Sequence, residues 1–220
     1  MAALAHIALA AGVDEAGRGA LAGPVSCAAV ILPEGFDLDG IDDSKKLTRE
    51  QREYQAARIK EAACWAVALV PHDIIDEINI LQATFLGMHT AIAHLEHAPE
   101  RVLIDGNQMP APRCFDSRVF VASSAAVRAR EHSSIGFELH VQGDARFACI
   151  AAASILAKTS RDSYMREIHA LYPDYGFDSH VGYSAPTHLA MIRERGGCAI
   201  HRRSFDPWRT MLEQPCLFDG

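Results

Sequence analysis

The chain has 220 residues, 49% of them hydrophobic and 22% charged, the size and balance of one globular domain with a full core. Its formal net charge of −7 excludes a protein that coats nucleic acid through a broad basic face, and leaves only local basic patches for such a role. The cysteines, at 27, 64, 114, 149, 198 and 216, form no CxxC pair and read as reduced thiols; no apolar run is long enough to cross a bilayer, and a cytoplasmic protein is expected.

In chain order, HIALAAGV (residues 6–13) and PVSCAAVIL (24–32) read as apolar strands joined by a glycine-rich turn, a hairpin-like start. Thr48 followed by Gln51 fits a capping box, and predicts a helix to about Ala63, with a strand at Trp65 to Val70 after it. Leu81, Phe85, Met88, Ile92 and Leu95 recur at alternating steps of four and three, one apolar face of a helix that packs on a sheet. RVLI (101–104) and FELHV (137–141) read as short strands, and an alanine-rich helix spans residues 145–172, its small side chains allowing a neighbouring backbone to come close. Residues 186–195 and 206–214 complete the pattern as helices. The sum is an α/β fold with a mixed sheet, without the strict strand–helix alternation of a doubly wound domain.

Three of these apolar runs lead into acids: IALAAGV into Asp14 and Glu15, RVLI into Asp105, and FELHV into Asp144. Carboxylates brought together from several strand ends suit a hard divalent cation, and without one they would repel each other. Taken singly each acid also reads as an ordinary turn residue; three coincident strand ends favour a metal site. Neighbouring strand residues point to opposite faces, so Asp14 and Glu15 share a site only where the strand bends or ends, which Gly12, Gly17 and Gly19 make easy. The glycines at 17, 19 and 23, with Asp37 about 20 residues on, also resemble a dinucleotide-binding turn. That reading fails on context, because Pro24 and a strand follow Gly23 where a helix N-terminus is needed.

Lys45, Lys46, Arg49 and Arg52 form one basic cluster, Lys158 and Arg161 a second, and Arg202, Arg203 and Arg209 a third; such clusters read first as solvated surface. VDEAGRGALAGPV, DDSKKL, NILQAT, VLIDGN, GDARFACIAAASILAKTSRD, YGFDSHVGY and HRRSF, in that order from about Gly12 to Trp208, together resemble bacterial ribonuclease HII. The resemblance implies a ribonuclease H-like α/β fold, a mixed five-stranded sheet flanked by helices with a helical C-terminal portion. It implies one catalytic domain over residues 1–210 and a tail over 211–220. The activity implied is an endonuclease that hydrolyses the RNA strand of RNA/DNA hybrids and nicks duplex DNA 5′ to an embedded ribonucleotide, leaving 5′-phosphate and 3′-hydroxyl ends. A Holliday-junction resolvase of the same fold would share the acids without needing the Gly-Arg-Gly segment or Tyr183.

Carried over by position, the catalytic and metal-binding acids are Asp14, Glu15, Asp105 and Asp144, holding Mg²⁺ or Mn²⁺ for two-metal hydrolysis. Asp162 is the alternative fourth acid. Gly17, Arg18 and Gly19 would sense the ribose 2′-hydroxyl with backbone groups, and Tyr183 would pack on the sugar; without the resemblance Tyr183 reads as a half-buried core tyrosine. Lys45 or Lys46 and Lys158 would meet phosphates. Ser154, Lys158 and Asp162 follow at steps of four on one helical face, where Lys158 and Asp162 also fit an intrahelical ion pair.

The chain departs from the family pattern at Gln142 and Val181, where lysines are frequent, and in a long interval from Asp105 to Asp144, whose SSAAVRAREHSSIG reads as an inserted loop or short helix. Gln214, Leu217 and Phe218 of the tail resemble the short peptides that dock on sliding clamps, inserting apolar anchors from a chain end. An apolar tail folded back on its own domain fits the same residues.

Overall fold

The computed structural model describes residues 4–108, 116–125 and 136–213. Strands β1 (Ala10–Ala16), β2 (Val25–Ile31) and β3 (Cys64–Val70) form an antiparallel meander, as the hairpin-like start predicts. Strands β4 (Arg101–Asp105) and β6 (Gly136–His140) add in parallel beside β1, while β5 (Phe120–Ser123) pairs antiparallel with β3 on the far side. The order is β5-β3-β2-β1-β4-β6, so the expected five-stranded sheet has six strands. The extra strand is FVAS, four residues of edge, too short to show the two-residue alternation from which strands are read.

Helices α1 (Arg49–Ala62) and α4 (Ala148–His169) cover one face of the sheet, and α2 (His72–Ile78) with α3 (Ile80–Ala93) the other. Helix α1 starts at Thr48 with the capping box in place: the Gln51 N–H donates to Thr48 Oγ1, and the Thr48 N–H to Gln51 Oε1 at 2.8 Å. On α3 the apolar stripe Phe85, Met88, Ile92 packs on the sheet and Leu95 just beyond joins it, with Leu81 at its margin. Helix α2 was not expected; its two turns end at Asn79, whose side chain caps α3 by accepting from the Gln82 N–H at 3.1 Å. Helices α5 (Phe177–His180), α6 (Pro186–Arg195) and α7 (Trp208–Glu213) make the C-terminal portion helical.

Gly23 is followed by Pro24 and strand β2, and Asp37 is held by Arg58 at 2.8 Å, which rules out the dinucleotide turn. Cys27, Cys64, Cys149 and Cys198 are free thiols. Among the described residues no helix is long and apolar enough to cross a membrane. Residues 126–135 of the long interval, and Gln214, Leu217 and Phe218, lie outside the described residues.

The site depends on how closely α4 lies on β1. Gly12 faces the helix, and a Cβ there would overlap the backbone of Cys149 and Ile150. Backbone cannot step aside as a side chain can, and the first turns of α4 meet the sheet with Ala148, Ala151, Ala152 and Ala153, all buried. Gly12→Ala is expected to lower stability by about 3 kcal/mol, at the upper end of ordinary overpacking costs; chemical denaturation checks this, and an unchanged midpoint would show that α4 can retreat.

Candidate active site

Val13 of β1 pairs with Ile104 of β4, so the next residues, Asp14 and Asp105, leave two parallel strands side by side. Alternation puts both on the α4 face, together with Gly12 and Leu103. Strand β6 runs parallel to β4 and ends in a one-turn 3₁₀ helix, Gly143–Ala145, which delivers Asp144 to the same edge. One carboxylate oxygen from each of Asp14, Asp105 and Asp144 lies within 4.8 Å of the others. Asp14 and Asp144 are buried, and Asp105 accepts from the Gly143 N–H at 2.8 Å, which ties β4 to the 3₁₀ turn.

Glu15 is not part of that trio. It lies inside β1, opposite Cys27, on the face away from α4, and its carboxylate takes a 3.2 Å bond from Arg18. Asp14, Glu15 and Asp144 hold their protons more tightly than usual. Burial first, then the charges of Glu15 and Asp105, push Asp14 well up, against a hydrogen bond from Ser154. Burial also raises Glu15, opposed by Arg18, and raises Asp144 together with Asp105 and Asp43, opposed by Lys45.

The two neighbouring lysines part company. Lys45 reaches Asp144 at 3.7 Å, and the charges of Asp43, Asp144, Asp14 and Asp105 outweigh its partial burial to raise its pKa. Lys46 turns to Asp42 at 2.9 Å. The Ser154 hydroxyl lies between Asp14 and the Ser44 hydroxyl, 2.9 Å away, and so ties α4 to the Asp42–Leu47 loop. Lys158 donates to Asp162 at 2.9 Å, the intrahelical pair; Asp162 also faces Arg52 at 4.0 Å and stands apart from the acid trio. Tyr183, half-buried, has Lys158 Nζ 5.2 Å and Arg161 Cζ 5.1 Å from its ring centroid.

A ribonuclease HII family model matches residues 11–207. The chain belongs to the ribonuclease HII family. The ribonuclease HII of Bordetella pertussis is 48% identical over 201 residues, covering 91% of this chain and 90% of the relative. That of Neisseria meningitidis serogroup C is 45% identical over 214 residues, 97% of this chain and all of the relative. Among solved structures, ribonuclease H2 from Pyrococcus horikoshii matches with a TM-score of 0.68 at 25% identity, covering 92% of this chain and 96% of that one. Bst ribonuclease HIII, solved in complex with Mn²⁺, has the same fold at 19% identity and a TM-score of 0.64, over 92% of this chain and 68% of that one. The fold is therefore ribonuclease H-like, and a ribonuclease HII is a metal-dependent nuclease that hydrolyses phosphodiesters.

The residues that sequence reasoning missed are two arginines from the basic clusters. Arg161 and Arg202, read as solvated surface, are completely buried behind the Gly17–Gly19 segment. Burial and the neighbouring Arg161 guanidinium push Arg202 down to about 9, which leaves it charged at neutral pH. The signal lay in the sequence as Arg202 within HRRSF and Arg161 within KTSRD, but burial of an arginine has no local pattern.

The raised acids set the pH dependence of the metal-free protein. Below the ordinary carboxylate range Asp14, Glu15 and Asp144 are protonated in folded and unfolded chains alike. As pH rises through that range the unfolded chain ionises first, so the native state binds more protons and loses stability. At neutral pH, Mn²⁺ is expected to raise the Tm; Asp14→Asn should raise the Tm without metal and shrink the Mn²⁺ shift. Thermal melts of both proteins, with Mn²⁺ and with chelator, check this; an Asn variant that melts lower and still responds fully to Mn²⁺ would contradict it.

Proposed function

We propose that the chain is an endonuclease that hydrolyses the RNA strand of RNA/DNA hybrids and nicks duplex DNA on the 5′ side of an embedded ribonucleotide, leaving 5′-phosphate and 3′-hydroxyl ends. The observation that carries the reading is the acid trio Asp14, Asp105 and Asp144, two of them buried and the third half-buried, beside the glycine loop that follows β1. An all-oxygen set of this density fits Mg²⁺ or Mn²⁺, and desolvated carboxylates this close need a cation to stay ionised together. Asp14, Asp105 and Asp144 would hold it, and Glu15 would complete the set for a second ion by leaving Arg18. Bound there, the cations supply the charge that activates water as nucleophile and stabilises the leaving 3′-oxygen.

The rest of the work falls to the chain. Ser154 orients Asp14 from α4. Lys45, exposed and beside Asp144, meets the phosphate that enters the acid cluster, with Lys46 one residue further along the backbone path and Lys158 on the far side near Tyr183. Gly17, Arg18 and Gly19 read the ribose through their main chain. A side chain at Gly17 would run into Arg161, whereas nothing within 4 Å would meet one at Gly19, so the space over Gly19 is open to a sugar. Tyr183 packs on that sugar. Residues 1–210 serve as one catalytic domain acting on chromosomal duplexes in the cytoplasm. The tail, through Gln214, Leu217 and Phe218, docks on a sliding clamp; a ribonuclease HII from Archaeoglobus fulgidus, 25% identical with a TM-score of 0.64, has been solved in complex with PCNA.

A nicking assay on duplex DNA with one ribonucleotide tests the reading. Cutting 5′ to the ribonucleotide should require Mg²⁺ or Mn²⁺, disappear in Asp14→Asn, Asp105→Asn and Asp144→Asn, and be absent from an all-DNA duplex. Deleting residues 214–220 should leave nicking intact and remove clamp pull-down. Metal-dependent cutting of junction DNA instead, with the ribonucleotide duplex untouched, would overturn the assignment.

A further inference from the structure

Two arginines lie in the interior of an acidic protein with no carboxylate to pair with: among the described residues neither Arg161 nor Arg202 joins an ion pair. Their donors go to backbone carbonyls. Arg161 donates from Nε to Pro24 O at 2.9 Å, from Nη1 to Val181 O at 2.8 Å and from Nη2 to Ala22 O at 3.0 Å. Arg202 donates from Nε to Gly23 O at 3.0 Å, from Nη1 to Arg18 O at 2.9 Å and from Nη2 to Gly17 O at 2.8 Å. Burying a guanidinium is expensive, and the cost is recovered only while its hydrogen bonds are made in good geometry.

The direction of these bonds matters more than their number. In a trans peptide the C=O of one residue and the N–H of the next point in opposite directions. By drawing the carbonyls of Gly17 and Arg18 inward, Arg202 turns the N–H groups of Arg18 and Gly19 outward. Neither N–H donates to an acceptor among the described residues. Arg161 meanwhile joins the loop, through Ala22 and Pro24, to the turn before Tyr183. There Val181 sits at φ 43°, a conformation a β-branched residue does not hold unaided. The same guanidinium lies over the Tyr183 ring, and the Leu21 N–H donates to Gly182 O at 2.8 Å.

We infer that Arg161 and Arg202 are positioning residues for ribose recognition: Arg202 aims the Arg18 and Gly19 N–H donors into the cleft, and Arg161 sets the spacing between that loop and Tyr183. Neither side chain touches the substrate. Both act by making the receptor rigid before the sugar arrives, which spares the ordering cost at binding. The inference rests on the ribonucleotide-directed activity proposed above.

The test compares the affinity for a duplex carrying one ribonucleotide with that for the same all-DNA duplex, in Ca²⁺, for wild type, Arg202→Lys, Arg202→Met, Arg161→Lys, Arg161→Met and Lys45→Ala. Nicking kinetics follow in Mg²⁺. Lysine keeps the charge and loses the fork, so the folded Arg202 and Arg161 variants should lose the ribonucleotide preference by about tenfold, the value of one well-made hydrogen bond. Lys45→Ala should weaken both duplexes alike and keep the ratio. Guanidinium added to Arg202→Ala at non-denaturing concentration should restore part of the preference. Folded variants with the wild-type ratio would overturn the inference while leaving the proposed activity intact. So would failure of all five arginine variants to fold, which would make the pair core residues and nothing more. A wild-type protein without any ribonucleotide preference would remove the activity and the inference together.

Discussion

The contact on which everything else depends is that between α4 and β1 at Gly12. A helix normally stands off a sheet by the length of its side chains. Here a strand residue without a Cβ meets a helix whose sheet-facing residues are alanines, and the two backbones touch. The 22 residues of α4 then act as a ruler laid along the site. Asp144 precedes its first turn, Ser154 meets Asp14, Lys158 lies over Tyr183, and Arg161 reaches behind the glycine loop. Because Ser154, Lys158 and Arg161 ride on one rigid element and Asp144 directly precedes it, a shift of α4 would move all four side chains together.

Charge is divided with equal economy. Strand β1 carries two acids near its end and the loop after it is held from behind by two buried arginines from distant segments, so opposite charges flank one short stretch of chain. The acids cannot ionise together at low cost until a cation joins them. The arginines are satisfied by carbonyls and so remain electrically unmatched. This concentrates positive potential under the loop in a protein whose net charge is −7. Lys45 beside Asp144 and Lys158 beside Tyr183 add positive charge on either side of it.

Much of this was legible in the sequence where a local pattern has a single structural meaning. The Thr48–Gln51 box and the Phe85–Met88–Ile92 stripe fell where capping and periodicity placed them, and Asp14 and Asp105, the first acids after IALAAGV and RVLI, come together. What escaped depends on non-local packing. FVAS becomes a strand only because β3 offers it an edge, and α2 is too short to display a helical period. Lys45 and Lys46 are equivalent in sequence and differ only because the loop sends one to Asp144 and the other to Asp42. Arg161 and Arg202 looked like solvated charge, and their burial became evident only once the carbonyls of three separate segments were seen to converge on them. The separation of Glu15 from the trio followed from strand alternation, since β1 continues through Ala16 without a bend.

The most direct test of the central claim, that the strand ends converge to hold divalent cations, is anomalous diffraction at the manganese edge from crystals grown with Mn²⁺ and a ribonucleotide-containing duplex. The account predicts manganese peaks within coordination distance of Asp14, Asp105, Asp144 and Glu15, with Arg18 released from Glu15. Anomalous peaks elsewhere, or none within coordination distance of Asp14, Asp105 and Asp144, would contradict it.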